Sequence, residues 1–219
     1  MRLHCLPLIL AASALMAADP ATPFGRNLLR NPGAEMTSET SNIPGWQDIE
    51  GLNEQPYGGT PSEWKAGTRG CPRCGRFYMR ITLGPNTKGL AANQVVKVED
   101  AAKDIDSGRV TANISGYIGA LRTTAVTTQM VASFQDGTGK NLGQLTTSEV
   151  SATDLPASNS GGSIVFREQS GPVPSGTRQI LFQWQAKPAA ARQDASGNGS
   201  QTPPAPVAFG DNFSLIIRR

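Results

Sequence analysis

The sequence holds 219 residues, 38% hydrophobic and 17% charged, with 20 Lys and Arg against 17 Asp and Glu. That near balance, with no basic run interleaved with aromatics, argues against nucleic acid as a partner. The single histidine is His4, so the chain beyond it has no Ser-His-Asp or Cys-His catalysis and no His-ligated metal.

Met1-Arg2-Leu3-His4 is a short positive start, residues 5–17 are an apolar run with small residues at its end, and Asp19-Pro20 closes it. This pattern predicts a secretory signal peptide over 1–18, leaving an exported chain that starts at Ala18 or Asp19. The run is shorter than the roughly 20 residues of a spanning helix, and Cys5 lies too early for lipoprotein cleavage. Processing removes His4 and Cys5 and leaves Cys71 and Cys74. Secretion to the periplasm or the extracellular space is the expectation.

Asn27-Leu28-Leu29 predicts entry into a short strand. Asn31-Pro32-Gly33 predicts a turn, because proline fixes φ and glycine tolerates φ > 0. Glu35 follows that turn, then a polar run, then Ile43-Pro44-Gly45-Trp46. Residues 53–75 read as a loop-rich stretch carrying Tyr57, Trp64 and both cysteines.

Beyond it the pattern is period two. Phe77, Met79, Ile81 and Leu83 share one face. So do Val96 and Val98; Val110, Ala112, Ile114, Gly116 and Ile118; Met130, Ala132 and Phe134; and Ile180, Phe182 and Trp184. Turn-formers separate these strands at Gly84-Pro85-Asn86, Asp106-Ser107-Gly108, Asp136-Gly137-Thr138-Gly139 and Pro174-Ser175-Gly176. Residues 100–106 have room for a helical turn. Residues 187–206 are low in complexity and predict a long excursion before the last strand. Strands at this spacing predict an all-β, antiparallel β-sandwich (jelly roll), with one domain over 19–219 and no anchor or sorting tail after it.

Several motifs occur in an order that resembles the galactose-binding-domain-like, carbohydrate-binding-module-like β-sandwiches. They are the turn and Glu35 followed by Pro44-Gly45-Trp46; Gln94-Val95-Val96-Lys97-Val98; Phe134, Asp136, Gly139, Leu142 and Gly143; Val173-Pro174-Ser175-Gly176-Thr177-Arg178; and Asp211-Asn212-Phe213-Ser214-Leu215. The resemblance covers most of the chain. It implies that fold, and it implies a structural Ca²⁺ held between Glu35 and Asp211, since calcium takes hard oxygen ligands. The alternative reading makes Asp211 a turn cap and Glu35 a solvated carboxylate. Function varies widely on this fold.

Cys71-Pro72-Arg73-Cys74 admits three readings. A redox pair belongs at a helix start, but Gly75 and a strand follow. Zinc needs four ligands and this pair supplies two. A structural Cys71–Cys74 disulfide suits an exported chain. Tyr57 and Trp64, in the polar loop, are the candidate sugar-stacking rings, whereas Trp46 and Trp184 read as core. Glu50, Glu54 and Glu63 lie close in sequence, and two carboxylates across a sugar hydrolyse a glycosidic bond; a solvated loop face is the plainer reading.

The sequence therefore points to an exported, non-catalytic module for carbohydrate or a glycan-like surface. The alternative is a structural or protein-interaction domain of the cell surface. A hydrolase using only carboxylates stands third.

Overall fold

The computed structural model describes residues 22–36, 42–47, 49–58, 63–64, 70–121, 124–156, 162–189 and 205–219. The expected signal peptide and most of the 187–206 excursion lie outside the described residues. In chain order the strands are β1 (Leu52–Pro56), β2 (Phe77–Thr82), β3 (Leu90–Lys97), β4 (Thr111–Leu121), β5 (Val126–Gln135), β6 (Asn141–Thr146), β7 (Val150–Ser151), β8 (Gly162–Pro172), β9 (Gln179–Pro188) and β10 (Val207–Arg218). A 3₁₀ turn, Glu99–Ala101, leads into the short helix α1 (Ala102–Asp106).

The strands form two antiparallel sheets. The first runs β1-β2-β10-β4-β8; the second runs β3-β9-β5-β6, with β7 also paired to β5. The predicted alternation is what packs them. In β9, Ile180, Phe182, Trp184 and Ala186 are buried while Gln183 and Gln185 face out. Met79, Ile81, Ile114, Ile118, Phe134, Phe213 and Leu215 meet them in the inter-sheet core. Trp46 packs there too, its ring 6.0 Å from Phe182 and 5.5 Å from Phe213. The Trp184 indole N–H donates to Thr128 Oγ1 at 2.6 Å, which satisfies its one buried polar atom.

Three local expectations need correction. Residues 27–29 are not a strand. They run beside β10, with Leu28 N–H donating to Leu215 O at 2.8 Å and the Asn27 side chain bonding Leu29, Leu215 and Phe213. Asn27 thus spends its amide on the backbone groups a strand partner would otherwise take. The stretch 53–75 begins as a strand, β1, paired with β2 from Leu52–Ile81 to Pro56–Phe77. In the Asn31-Pro32-Gly33 turn, positive φ falls on Asn31 (47°) and Ala34 (56°), not on Gly33. Gly33 is there for space, because a Cβ would sit 3.0 Å from Asp211 Oδ1.

Candidate functional site

Two features of the fold carry chemistry. The first lies within β10. Asp211 is fully buried at an irregularity in the β10–β4 register between Asp211 and Ser214. Its Oδ1 accepts Asn212 N–H at 2.6 Å and its Oδ2 accepts the Tyr57 hydroxyl at 2.9 Å. Burial raises its carboxyl to about 7; the bonds from Tyr57 and Asn212 oppose that shift, and the charge of Glu35 adds to it. Burial raises the Tyr57 phenol in turn, with the Asp211 charge behind it.

The structure brings Glu35 to the same place. Its Oε1 accepts Phe77 N–H at 2.9 Å, and its carboxylate lies over Gly75, where a Cβ would overlap it. Glu54, from β1, is a third member that the sequence reading did not assign here. Burial raises its carboxyl and the Glu35 charge raises it further, while its Oε2 is buried with no hydrogen-bond partner among the described residues. Among the described residues, Arg109 pairs with Asp104 and Arg178 with Asp106, away from these carboxylates. Among the described residues the non-glycine residues at positive φ are Asn31, Ala34 and Asn212, which flank Glu35 and Asp211. Such backbone is costly and gathers where surrounding structure enforces it. The charge of Glu35 reaches both Asp211 and Glu54.

Cys71 and Cys74 are joined in a disulfide whose Cα atoms lie 5.1 Å apart. The bond sits beside Asp211, in a small cluster on the outer face of the first sheet. Trp64 and Tyr57 belong to that cluster. Trp64 is 6% exposed, with Tyr78, Phe209 and Tyr57 at ring distances of 4.5, 4.7 and 5.2 Å. That packing leaves Trp64 no open face for a pyranose, and Tyr57 is half-buried. Glu63 receives the Tyr78 hydroxyl and Arg80 Nε on this outer side. Glu54 stands opposite Met79 of the inter-sheet core, and Glu50 is exposed in the turn before β1. The three glutamates thus have separate surroundings.

The second feature was not singled out in the sequence. The outer face of the second sheet carries a chain of amides. Asn93 Nδ2 donates to Gln47 Oε1 (2.9 Å), Gln183 Nε2 to Asn93 Oδ1 (2.9 Å), Gln185 Nε2 to Gln183 Oε1 (3.2 Å) and Gln129 Nε2 to Gln185 Oε1 (3.0 Å). The chain crosses β3, β9 and β5 and ends at a hollow of about 220 Å³, lined by Gly89, Ala91, Thr127, Gln129 and Gln185. Lys187 and Glu149 form an ion pair at its rim. The signal was present in the period-two reading, where the polar positions of β9 are glutamines, but their partners on β3 and β5 depend on register. Val95, 57% exposed, and Leu181 face each other in the next rows.

No family model matches the sequence, and no curated protein matches it. Among solved structures, the chain is similar to the enzymatically active domain of bacteriophage CBA120 tailspike protein 4, at 13% identity and a TM-score of 0.50 over 87% of this chain. It spans 21% of that tailspike chain. It is also similar to TmCBM61 in complex with beta-1,4-galactotriose, at 16% identity and a TM-score of 0.47 over 89% of this chain and 99% of that one. The CBM22-1 xylan-binding domain of Paenibacillus barcinonensis Xyn10C follows, at 14% identity and a TM-score of 0.44 over 91% and 99%. At these identities the likeness is one of fold. The fold is two antiparallel sheets packed as a β-sandwich.

Proposed function

We propose that the protein is an exported, non-catalytic module that binds an oligosaccharide across the outer face of its second sheet. The observation that carries this is the amide chain from Gln47 to Gln129 ending in the hollow beside Lys187 and Glu149. Each amide has two donors and an acceptor oxygen with two lone pairs, so bonding a neighbour leaves capacity for sugar hydroxyls. Because the amides hold one another, little side-chain freedom is lost on binding. Small residues at Gly89 and Ala91 leave room for a ring. The separate surroundings of Glu50, Glu54 and Glu63 support a non-catalytic reading.

A glycan array on the protein, with β-1,4-galactan and xylan fragments as first probes, tests the proposal. For a glycan that binds, Gln183→Ala and Gln185→Ala should each weaken affinity about tenfold while Trp64→Phe leaves it unchanged. Unchanged affinity in both glutamine variants moves the site off this face.

The carboxylate set enters the same reading as a structural Ca²⁺ site. Glu35 and Asp211 would hold the ion, and the ion would neutralise the like charges that face each other there. A second reading, a protein-interaction domain, is favoured by one observation. Phe166 on β8, at an edge of the first sheet, is 46% exposed, and among the described residues the Tyr117 ring lies against it at 5.3 Å. Loss of a protein partner on Phe166→Ala, with no glycan bound by the wild type, would select that reading.

A further inference from the structure

We propose that Cys71, Cys74 and Asp211 are a thiol-gated site for a borderline-soft divalent metal of the zinc kind, one that exists only when the Cys71–Cys74 bond is open. It stands independently of the sugar reading and shares Asp211 with the calcium reading. The two sulfurs and a carboxylate oxygen of Asp211 all lie within 4.8 Å of one another. All three residues are buried, at 7%, 1% and 0% exposure. The turn that holds the cysteines, closed by Cys74 N–H donating to Cys71 O at 3.2 Å, keeps both side chains on the Asp211 side.

The geometry fits without rearrangement of the fold. Tetrahedral zinc with bonds of about 2.3 Å to sulfur and about 2.1 Å to oxygen sets its ligand atoms roughly 3.5–3.8 Å apart. Once the bond is reduced, rotation about the two Cα–Cβ bonds parts the sulfurs to that spacing while the Cα atoms stay 5.1 Å apart. Asp211 is also oriented as ligating carboxylates are. Asn212 N–H holds one oxygen and the Tyr57 hydroxyl the other, and outer partners of this type fix a ligand's direction. Three protein ligands leave a fourth position for an exogenous group.

Redox state then chooses the metal class. In the disulfide the sulfurs carry no charge, and the neighbourhood offers carboxylates alone, which suit a hard cation. Two equivalents of a small thiol reduce the bond: two electrons and two protons pass to Cys71 and Cys74, and the small thiol leaves as its own disulfide. Metal binding then expels the two thiol protons, because thiolates are the ligands.

The test uses cobalt(II) as the probe. The full chain is reduced with a dithiol, freed of it without air, and titrated. The expected result is one cobalt per chain, with thiolate-to-cobalt charge-transfer absorption and tetrahedral ligand-field bands. Both signals should vanish on adding zinc and be absent from the oxidised protein. Cys71→Ser should lower the charge-transfer intensity by about half, and Asp211→Asn should weaken cobalt binding at least tenfold with the thiolate band retained. Should Asp211→Asn fail to fold by circular dichroism, Tyr57→Phe, which removes a group orienting Asp211, should still weaken binding roughly tenfold. Absence of the band in reduced protein, two chains per cobalt, or unchanged affinity in the folded Asp211 or Tyr57 variant each overturns the proposal.

Discussion

The Tyr57 hydroxyl donates to Oδ2 of Asp211 at 2.9 Å, across 154 residues of sequence. It ties the segment after β1 to the centre of the first sheet, and it gives a fully buried carboxyl one of its two partners. Tyr57→Phe removes the donor and leaves that oxygen dry. The expected cost is about 1–3 kcal/mol, read from denaturant midpoints, and Tyr117→Phe, at a less buried ring, is the control.

The pH dependence of stability should follow Asp211. Its carboxyl is held near 7 when folded, against about 3.9 in an unfolded chain. The folded state therefore binds the proton more tightly, and the stability it gains is complete below about pH 4 and lost as pH rises towards 7. Glu54 is shifted in the same direction. In chelator, melting temperature should fall across pH 4–7, and Asp211→Asn should flatten that slope. A wild-type profile that is level over this range contradicts the reading.

Calcium should reverse the same slope, because the ion takes the place of the proton among the carboxylates. At about a hundred times Kd it adds roughly 2.7 kcal/mol, which for a domain of this size raises Tm by very roughly 5–10 °C. Glu35→Ala and Asp211→Ala should abolish the response, and magnesium should substitute poorly because it demands a tighter octahedral shell. A melting curve indifferent to chelator, with no metal by elemental analysis, leaves Asp211 as a buried, hydrogen-bonded carboxyl and Glu35 as an exposed one.

Gly75→Ala is a sharper probe of that cluster. The added methyl overlaps the Glu35 carboxylate, which is the mobile end of an exposed side chain. The side chain should swing away from Phe77 N–H and the fold should persist. The calcium-dependent rise in Tm should then shrink by half or more, while stability in chelator changes by less than about 1 kcal/mol.

Trp64→Ala should act on stability and not on sugar. Removing a buried indole from between Tyr78 and Phe209 costs about 3–5 kcal/mol. Affinity for any glycan bound on the second sheet should stay within about twofold at a temperature where the variant is folded. Loss of glycan affinity in a folded variant would return the site to the Tyr57–Trp64 side.

Much of the architecture was legible because burial in a sandwich repeats every two residues, and β2, β4, β5 and β9 show that repeat plainly. Strand β1 was hidden: Leu52-Asn53-Glu54-Gln55-Pro56 buries only Leu52 fully, so an edge strand with polar sides reads as loop. Residues 27–29 read as a strand because Leu28 and Leu29 are aliphatic, yet Asn27 supplies the bonds that a ladder would. Glu35 and Asp211 could be paired only through a resemblance, since 176 positions separate them in the chain. Glu54 carried no mark of its place beside Glu35. The burial of Trp64 was not legible for a physical reason: a polar, glycine-rich surrounding describes a surface loop equally well when a large ring in it folds inward. The amide chain escaped notice because the hydrogen bonds that link Asn93 to Gln183 and Gln185 to Gln129 are a property of strand register, which no single segment encodes.

The order β1-β2-β10-β4-β8 sets the last described strand in the middle of its sheet. Both β2 and β4 therefore keep an unpaired edge until residues 207–218 arrive, and residues 24–28 wait for the same strand. Most of the pairing energy of this sheet is long-range, which makes folding slow and leaves sticky edges open meanwhile. A polypeptide emerging N-terminus first from a ribosome cannot close this sheet early; it must stay open, and sheltered from its own kind, until residues 207–218 are through.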